Sequence, residues 1–88
     1  MRLTKDLIAD EFIAAAAAVG LKKVMVLVGA VDADIFVVTM TVANPVARGL
    51  DDQFLVTSSP YEFDDADHVK ELARAKAWLF VRTIPTIH

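Results

Sequence analysis

The chain has 88 residues, no cysteine and a formal net charge of −3. That length suits one domain, the missing cysteines exclude disulfides and thiolate metal sites, and the acidic balance argues against a nucleic-acid partner, which requires a basic surface. Hydrophobic residues make up 56% of the sequence, against about 45–50% in an average globular domain. We therefore expect a second apolar surface, buried between copies of the chain or against a protein partner.

The N-terminal segment predicts a helix rather than a targeting sequence. Asp6 and Asp10 interrupt any signal-peptide core, and the uncharged run at 12–21 is too short to cross a bilayer. Thr4 is a good N-cap and Gly20 a good C-terminal stop. One face of the helix would carry apolar residues at helical spacing: Ile8, Phe12, Ala15, Ala16 and Val19. We expect a cytoplasmic protein without membrane contact.

Strands follow in the middle of the chain. The runs 24–31 and 35–43 are rich in β-branched residues, and a connection of three residues between them suits a hairpin. Residues 44–52 predict a loop, 53–57 a short third strand, and Ser58-Ser59-Pro60-Tyr61 a turn. Gly29 inside the first strand indicates a bulge or the close approach of another backbone.

The last segment predicts a second helix. It would begin at the aspartate cluster 64–67, run to about Arg82 and be stopped by Pro85. A fourth strand at 78–84 is the alternative, because this stretch is rich in strand-forming residues. The predicted fold class is α+β, a three-stranded antiparallel β-meander flanked by N- and C-terminal helices in one domain, 1–88.

Both faces of the predicted sheet are apolar, although an antiparallel sheet covered on one side normally has a polar outer face. Either each helix covers one face or a second chain covers the second face. The second alternative implies a homodimer. The residues that we assign to self-association are Met25, Leu27, Val31, Ile35 and Val37.

A second partner surface is predicted around Trp78. On a helix it shares its side with Glu71, Arg74 and Arg82, and tryptophan with arginine is typical of binding hot spots. The alternative is that Trp78 is a core residue on a strand or packs against the first helix. The stretch 24–69 carries eight acids and one base, a net charge of −7, so its aspartates could steer a basic partner. Those assigned to partner binding are Asp51, Asp52, Asp64 and Asp65.

The sequence offers no convincing catalytic, cofactor-binding or metal-binding set. Asp64, Asp65, Asp67 and His68 could hold a divalent cation, but helix capping explains them more simply. No nucleophile elbow frames either serine, and the three glycines cannot form a phosphate-binding loop.

We therefore predict a non-enzymatic protein-interaction module without a cofactor: a homodimeric regulator, inhibitor or adaptor of a larger protein. A chain this short with so few candidate sites would suit a virus-encoded accessory protein. A subunit of a larger homo-oligomeric assembly, and a metal-binding protein or enzyme using the cluster 64–68, are the alternatives.

Overall fold

The computed structural model describes residues 3–32, 35–43 and 54–83. They form two helices and three strands: α1 (Lys5–Ala18), β1 (Met25–Ala30), β2 (Ile35–Ala43), β3 (Phe54–Glu62) and α2 (Ala66–Thr83). The strands form one antiparallel sheet in the order β1-β2-β3. The predicted α-β-β-β-α meander is confirmed. The loop predicted at 44–52 lies outside the described residues.

Both ends of α1 form as the sequence predicts. Thr4 Oγ1 accepts a hydrogen bond from the backbone N–H of Leu7 at 3.1 Å, which satisfies one of the free donors of the first turn. At the other end Gly20 has a φ of +86°, a left-handed conformation that glycine adopts without steric cost. The N–H of Leu21 then donates to the carbonyl of Ala16 at 3.1 Å and closes the helix.

The third strand is longer than predicted, and the turn expected at Ser58-Ser59-Pro60-Tyr61 is wrong. These four residues continue β3, in which Pro60 pairs with Val37 of β2. Proline lacks the N–H that a central strand needs, but β3 is an edge strand, where one side of the backbone has no neighbour in the sheet. The proline that suggested a turn in the sequence therefore indicates an edge strand of the sheet.

The second helix runs without interruption to Thr83, so the alternative of a fourth strand at 78–84 is wrong. Helical spacing buries Ala73, Ala77 and Phe80 on one side of α2, while Trp78 between them is exposed. A strand over the same residues would break this three- and four-residue periodicity.

Both helices pack on the same face of the sheet, so the alternative of one helix on each face is wrong. The residues of β2 alternate strictly between buried and half-buried. The buried set shares one core with Ile8 and Phe12 of α1 and with Val69 of α2. The sheet residues at its centre are Phe36, Val38, Met40 and Val42. Among the described residues this core contains no polar side chain.

Candidate functional site

The surface opposite the helices, which we call the outer face, is an apolar sheet surface that nothing in the described chain covers. The strand register sets rows across the three strands, each with a β2 residue in the middle. Thr41 lies between Met25 and Val56, Thr39 between Leu27 and Ser58, and Val37 between Gly29 and Pro60. Of the large apolar residues in these rows, Met25, Leu27 and Val56 are exposed. Phe54 adds a further exposed ring at the start of β3.

The outer face carries almost no charge. Among the described residues of its strands, the only side chain that is charged at neutral pH is that of Glu62, which lies at one corner opposite Ile35. The polar groups at its centre satisfy one another, since the hydroxyls of Thr39 and Ser58 are 3.0 Å apart. A paired hydroxyl costs less to bury than an isolated one. A partner can therefore exclude water from the centre of this surface without burying an unpaired charge.

All five residues assigned to self-association lie on or beside the outer face. Met25 and Leu27 project from β1, and Ile35 and Val37 from β2, while Val31 directly follows β1 and is exposed. The bulge proposed at Gly29 is absent, because the β1–β2 register is continuous through this residue. A Cβ added at Gly29 would meet no atom within 4 Å, so the outer face is open at that point.

A second candidate surface lies on the opposite side of the molecule, where α1 and α2 form an open groove of about 570 Å³. We call it the helix groove. Its α2 wall consists of Lys70, Arg74 and Trp78. Its α1 wall consists mainly of small residues, and it comprises Glu11, Ala14, Ala15, Ala18 and Val19. The groove is thus partly apolar, with two cations on one wall and one carboxylate on the other.

The residues predicted around Trp78 are all exposed on α2, but the groove includes only some of them. Trp78 lies on a helix and is 54% exposed, so the alternative of a core residue on a strand is wrong. It lines the groove together with residues of α1, the helix against which the other alternative placed it. Arg74 lines the groove with it, whereas Glu71 and Arg82 are exposed without lining it. Sequence reasoning missed Lys70, although its spacing of four residues from Arg74 and of eight from Trp78 places all three along one side of a helix.

The aspartate cluster caps α2. Asp65 Oδ1 accepts a hydrogen bond from the N–H of His68 at 2.8 Å, and the N–H of Asp64 donates to His68 Nδ1 at 3.1 Å. The described part of the chain contains no group of three or more His, Cys, Asp or Glu residues that could hold a metal. Asp51 and Asp52 lie outside the described residues.

Serine hydroxyls and the tyrosine have structural partners. Ser59 Oγ accepts a hydrogen bond from Lys76 Nζ at 3.2 Å. Burial raises the pKa of Tyr61 above its ordinary value, and a hydrogen bond with Ser59 offsets part of that rise. The Tyr61 ring stacks on Phe63 with the ring centroids 5.4 Å apart. These contacts tie β3 to the rest of the molecule rather than assemble a nucleophile.

A smaller apolar depression of about 170 Å³ lies between β3 and α2, where Leu55 and Leu79 contribute to its walls. Its volume is below the range of about 300–1,000 Å³ that is typical of small-molecule sites.

Comparison with protein families, with curated proteins and with solved structures finds no match to this chain. Within the described residues, neither helix is both long enough and apolar enough to span a membrane.

Proposed function

We propose that the chain is a non-enzymatic protein–protein interaction module that works as a homodimer and serves as a small regulator, inhibitor or adaptor of a larger protein. The observation that carries the proposal is the uncovered apolar outer face. Contiguous exposed apolar patches larger than a few hundred Å² are rare on monomers and mark interaction sites.

The size of the outer face suits an interface between two copies. Strands of nine residues span about 30 Å, and three neighbouring strands with their flanks span about 15 Å. Two such surfaces packed together would bury on the order of 1,000 Å², the lower bound for a specific interface. Packed face to face about 10 Å apart, the two sheets would form a β-sandwich with the helices outermost.

The charge distribution favours a second copy over a charged partner on this surface. Each chain carries a formal net charge of −3, so two copies repel through most of their surfaces. On the outer face the single described side chain that is charged at neutral pH is that of Glu62 at a corner. A two-fold axis through the centre of the sheet would bring apolar rows together and keep the two Glu62 carboxylates apart.

Matched leucine substitutions test this proposal. Leu27 on the outer face is 67% exposed and Leu79 on α2 is 59% exposed, so each can become lysine with little loss of packing within one chain. We expect Leu27→Lys to weaken the dimer at least about 100-fold, because each copy would bury a lysine at the interface. Sedimentation equilibrium measures both dissociation constants, and Leu79→Lys should match the wild type.

Three results would contradict the homodimer. A wild-type monomer at all concentrations would exclude it, and equal effects of the two substitutions would exclude the outer face as its interface. A mass that rises beyond that of a dimer would indicate a larger assembly, for which β1 and β3 offer edges that no other described strand pairs with.

A further inference from the structure

The helix groove lies on the side of the sheet that the proposed dimer leaves free. The two helices and the outer face are on opposite sides of the sheet. In a dimer formed through the outer face, both copies would therefore present their grooves to solvent. A regulator or adaptor requires a second surface of this kind, beyond the one used for self-association.

The groove has the length and shape needed to bind one helix. From Glu11 to Val19 on α1, and from Lys70 to Trp78 on α2, each wall extends about 12 Å, which corresponds to about two turns of a partner helix. The alanines on the α1 wall have no side chain beyond Cβ and let another backbone approach closely. A partner helix seated there would pack against both walls at once.

The charges that line the groove favour a partner with negatively charged side chains. Lys70 and Arg74 are both exposed on the α2 wall, and no carboxylate of the described residues forms an ion pair with either of them. Glu11 on the opposite wall is half-buried. The groove thus has a net positive charge on a protein whose overall charge is negative. An acidic partner would therefore form ion pairs with two cations that have none among the described residues.

Trp78 supplies the apolar anchor. It is exposed at one end of the α2 wall, two helical turns from Lys70. A large ring beside a smooth alanine wall can bury much apolar area on contact, and tryptophan is enriched among the residues that dominate binding energy. Anchor and cations together favour a ligand that is both apolar and acidic.

We propose that the helix groove binds an acidic amphipathic helix of a partner protein. The apolar side of that helix would pack on the alanine wall and on Trp78, while its carboxylates would meet Lys70 and Arg74. The inference deepens the proposed function, on which it rests, by naming the chemical class of the regulated partner.

Synthetic helices and the intrinsic fluorescence of the protein provide the test. Three peptides of about 16 residues, long enough to be helical, share one leucine face and carry glutamate, glutamine or lysine on both flanks. Trp78 is the only tryptophan in the chain, so the emission wavelength reports contact at the groove. We expect a blue shift with the glutamate peptide, which should bind at least about 10-fold tighter than the lysine peptide, with the difference shrinking in high salt.

Groove variants locate the binding. Arg74→Glu should weaken the glutamate peptide about 10-fold or more, and Lys5→Glu is the matched control, since it makes the same charge change at an exposed residue that does not line the groove. Trp78→Ala should weaken binding about 30-fold, measured through a dye on the peptide. Unchanged melting temperatures would show that these variants fold.

Several outcomes would overturn the groove proposal: no emission shift with any peptide, equal affinity for the glutamate and lysine peptides, or equal effects of Arg74→Glu and Lys5→Glu. Tighter binding of anionic vesicles or of a single-stranded oligonucleotide would assign the cations to a different ligand.

The two proposals can be tested separately, because Leu27→Lys should weaken the dimer and leave peptide binding unchanged. If the wild type is a monomer that binds the glutamate peptide, the proposal of a homodimer is wrong and the proposal for the helix groove is supported.

Discussion

The two faces of the sheet carry similar side chains and have opposite environments. Along β2 the inner residues are Phe36, Val38, Met40 and Val42, all buried, and the outer residues between them are Ile35, Val37, Thr39 and Thr41, all half-buried. On the edge strand β1 both faces are more accessible, since Leu27 and Met25 on the outer face are exposed and Val26 and Val28 on the inner face are half-buried. An apolar side chain is thus buried only where another element covers it, and both of the described helices cover the same face.

The largest difference in the free energy of unfolding that we expect is between substitutions at two neighbouring residues of α1. Phe12 is fully buried against Tyr61 and Phe63, whereas Ile13 is 40% exposed. Phe12→Ala should lower the free energy of unfolding by about 3–5 kcal/mol, because it leaves a cavity beneath the sheet. Ile13→Ala should cost less than about 1 kcal/mol, as expected for a surface substitution. Urea denaturation measures both values, and equal losses would contradict the assigned core.

A smaller difference should separate adjacent valines of β2. Val38 points into the core and Val37 points to the outer face. Val38→Ala should cost about 2 kcal/mol, and Val37→Ala less than about 1 kcal/mol. Both variants lose the same strand propensity, so their difference isolates burial. The measurement belongs at a low protein concentration, where the proposed dimer would be dissociated. At high concentration the cost of Val37→Ala should rise, and a concentration-independent cost would argue against an outer-face dimer.

The smallest effect that we expect is the contribution of Tyr61 to the pH dependence of the free energy of unfolding. Its pKa in the folded chain is raised by burial, so the folded state keeps the phenol proton to higher pH than the unfolded state does. The stability that this provides is fully present below the unfolded pKa of about 10 and is lost as the pH rises through the folded value. The free energy of unfolding should fall above pH 10, and Tyr61→Phe should reduce that fall.

Absorbance follows the phenol directly, because Tyr61 is the only tyrosine in the chain. A titration midpoint in the folded protein at or below the ordinary value would contradict the burial of this ring.

Local signals predicted most of the fold. The cap at Thr4, the stop at Gly20 and the aspartates that begin the second helix all act within a few residues, and so they could be read from the sequence. Pro60 misled the prediction of β3, because its compatibility with a strand depends on that strand lying at an edge, which is a property of the whole sheet.

The candidate sites were less predictable for the same reason. Alternation in β2 indicated two apolar faces, and it could not indicate that both helices lie on one of them. The helix groove depends on the packing of α1 against α2. The alanines of α1 could therefore not be identified as one wall of a site from the sequence alone. Trp78 was found from its own helix, since its neighbours at four-residue spacing are charged.

The most direct test of the central claim, that a second copy covers the outer face, is the oxidation of two methionines by hydrogen peroxide, followed by mass spectrometry. Met25 on the outer face is 61% exposed, and Met40 in the core is 0% exposed. We predict that Met40 is protected at every protein concentration and that oxidation of Met25 slows as concentration rises, relative to an added free methionine derivative. A Met25 rate that stays constant while the concentration rises would contradict the claim.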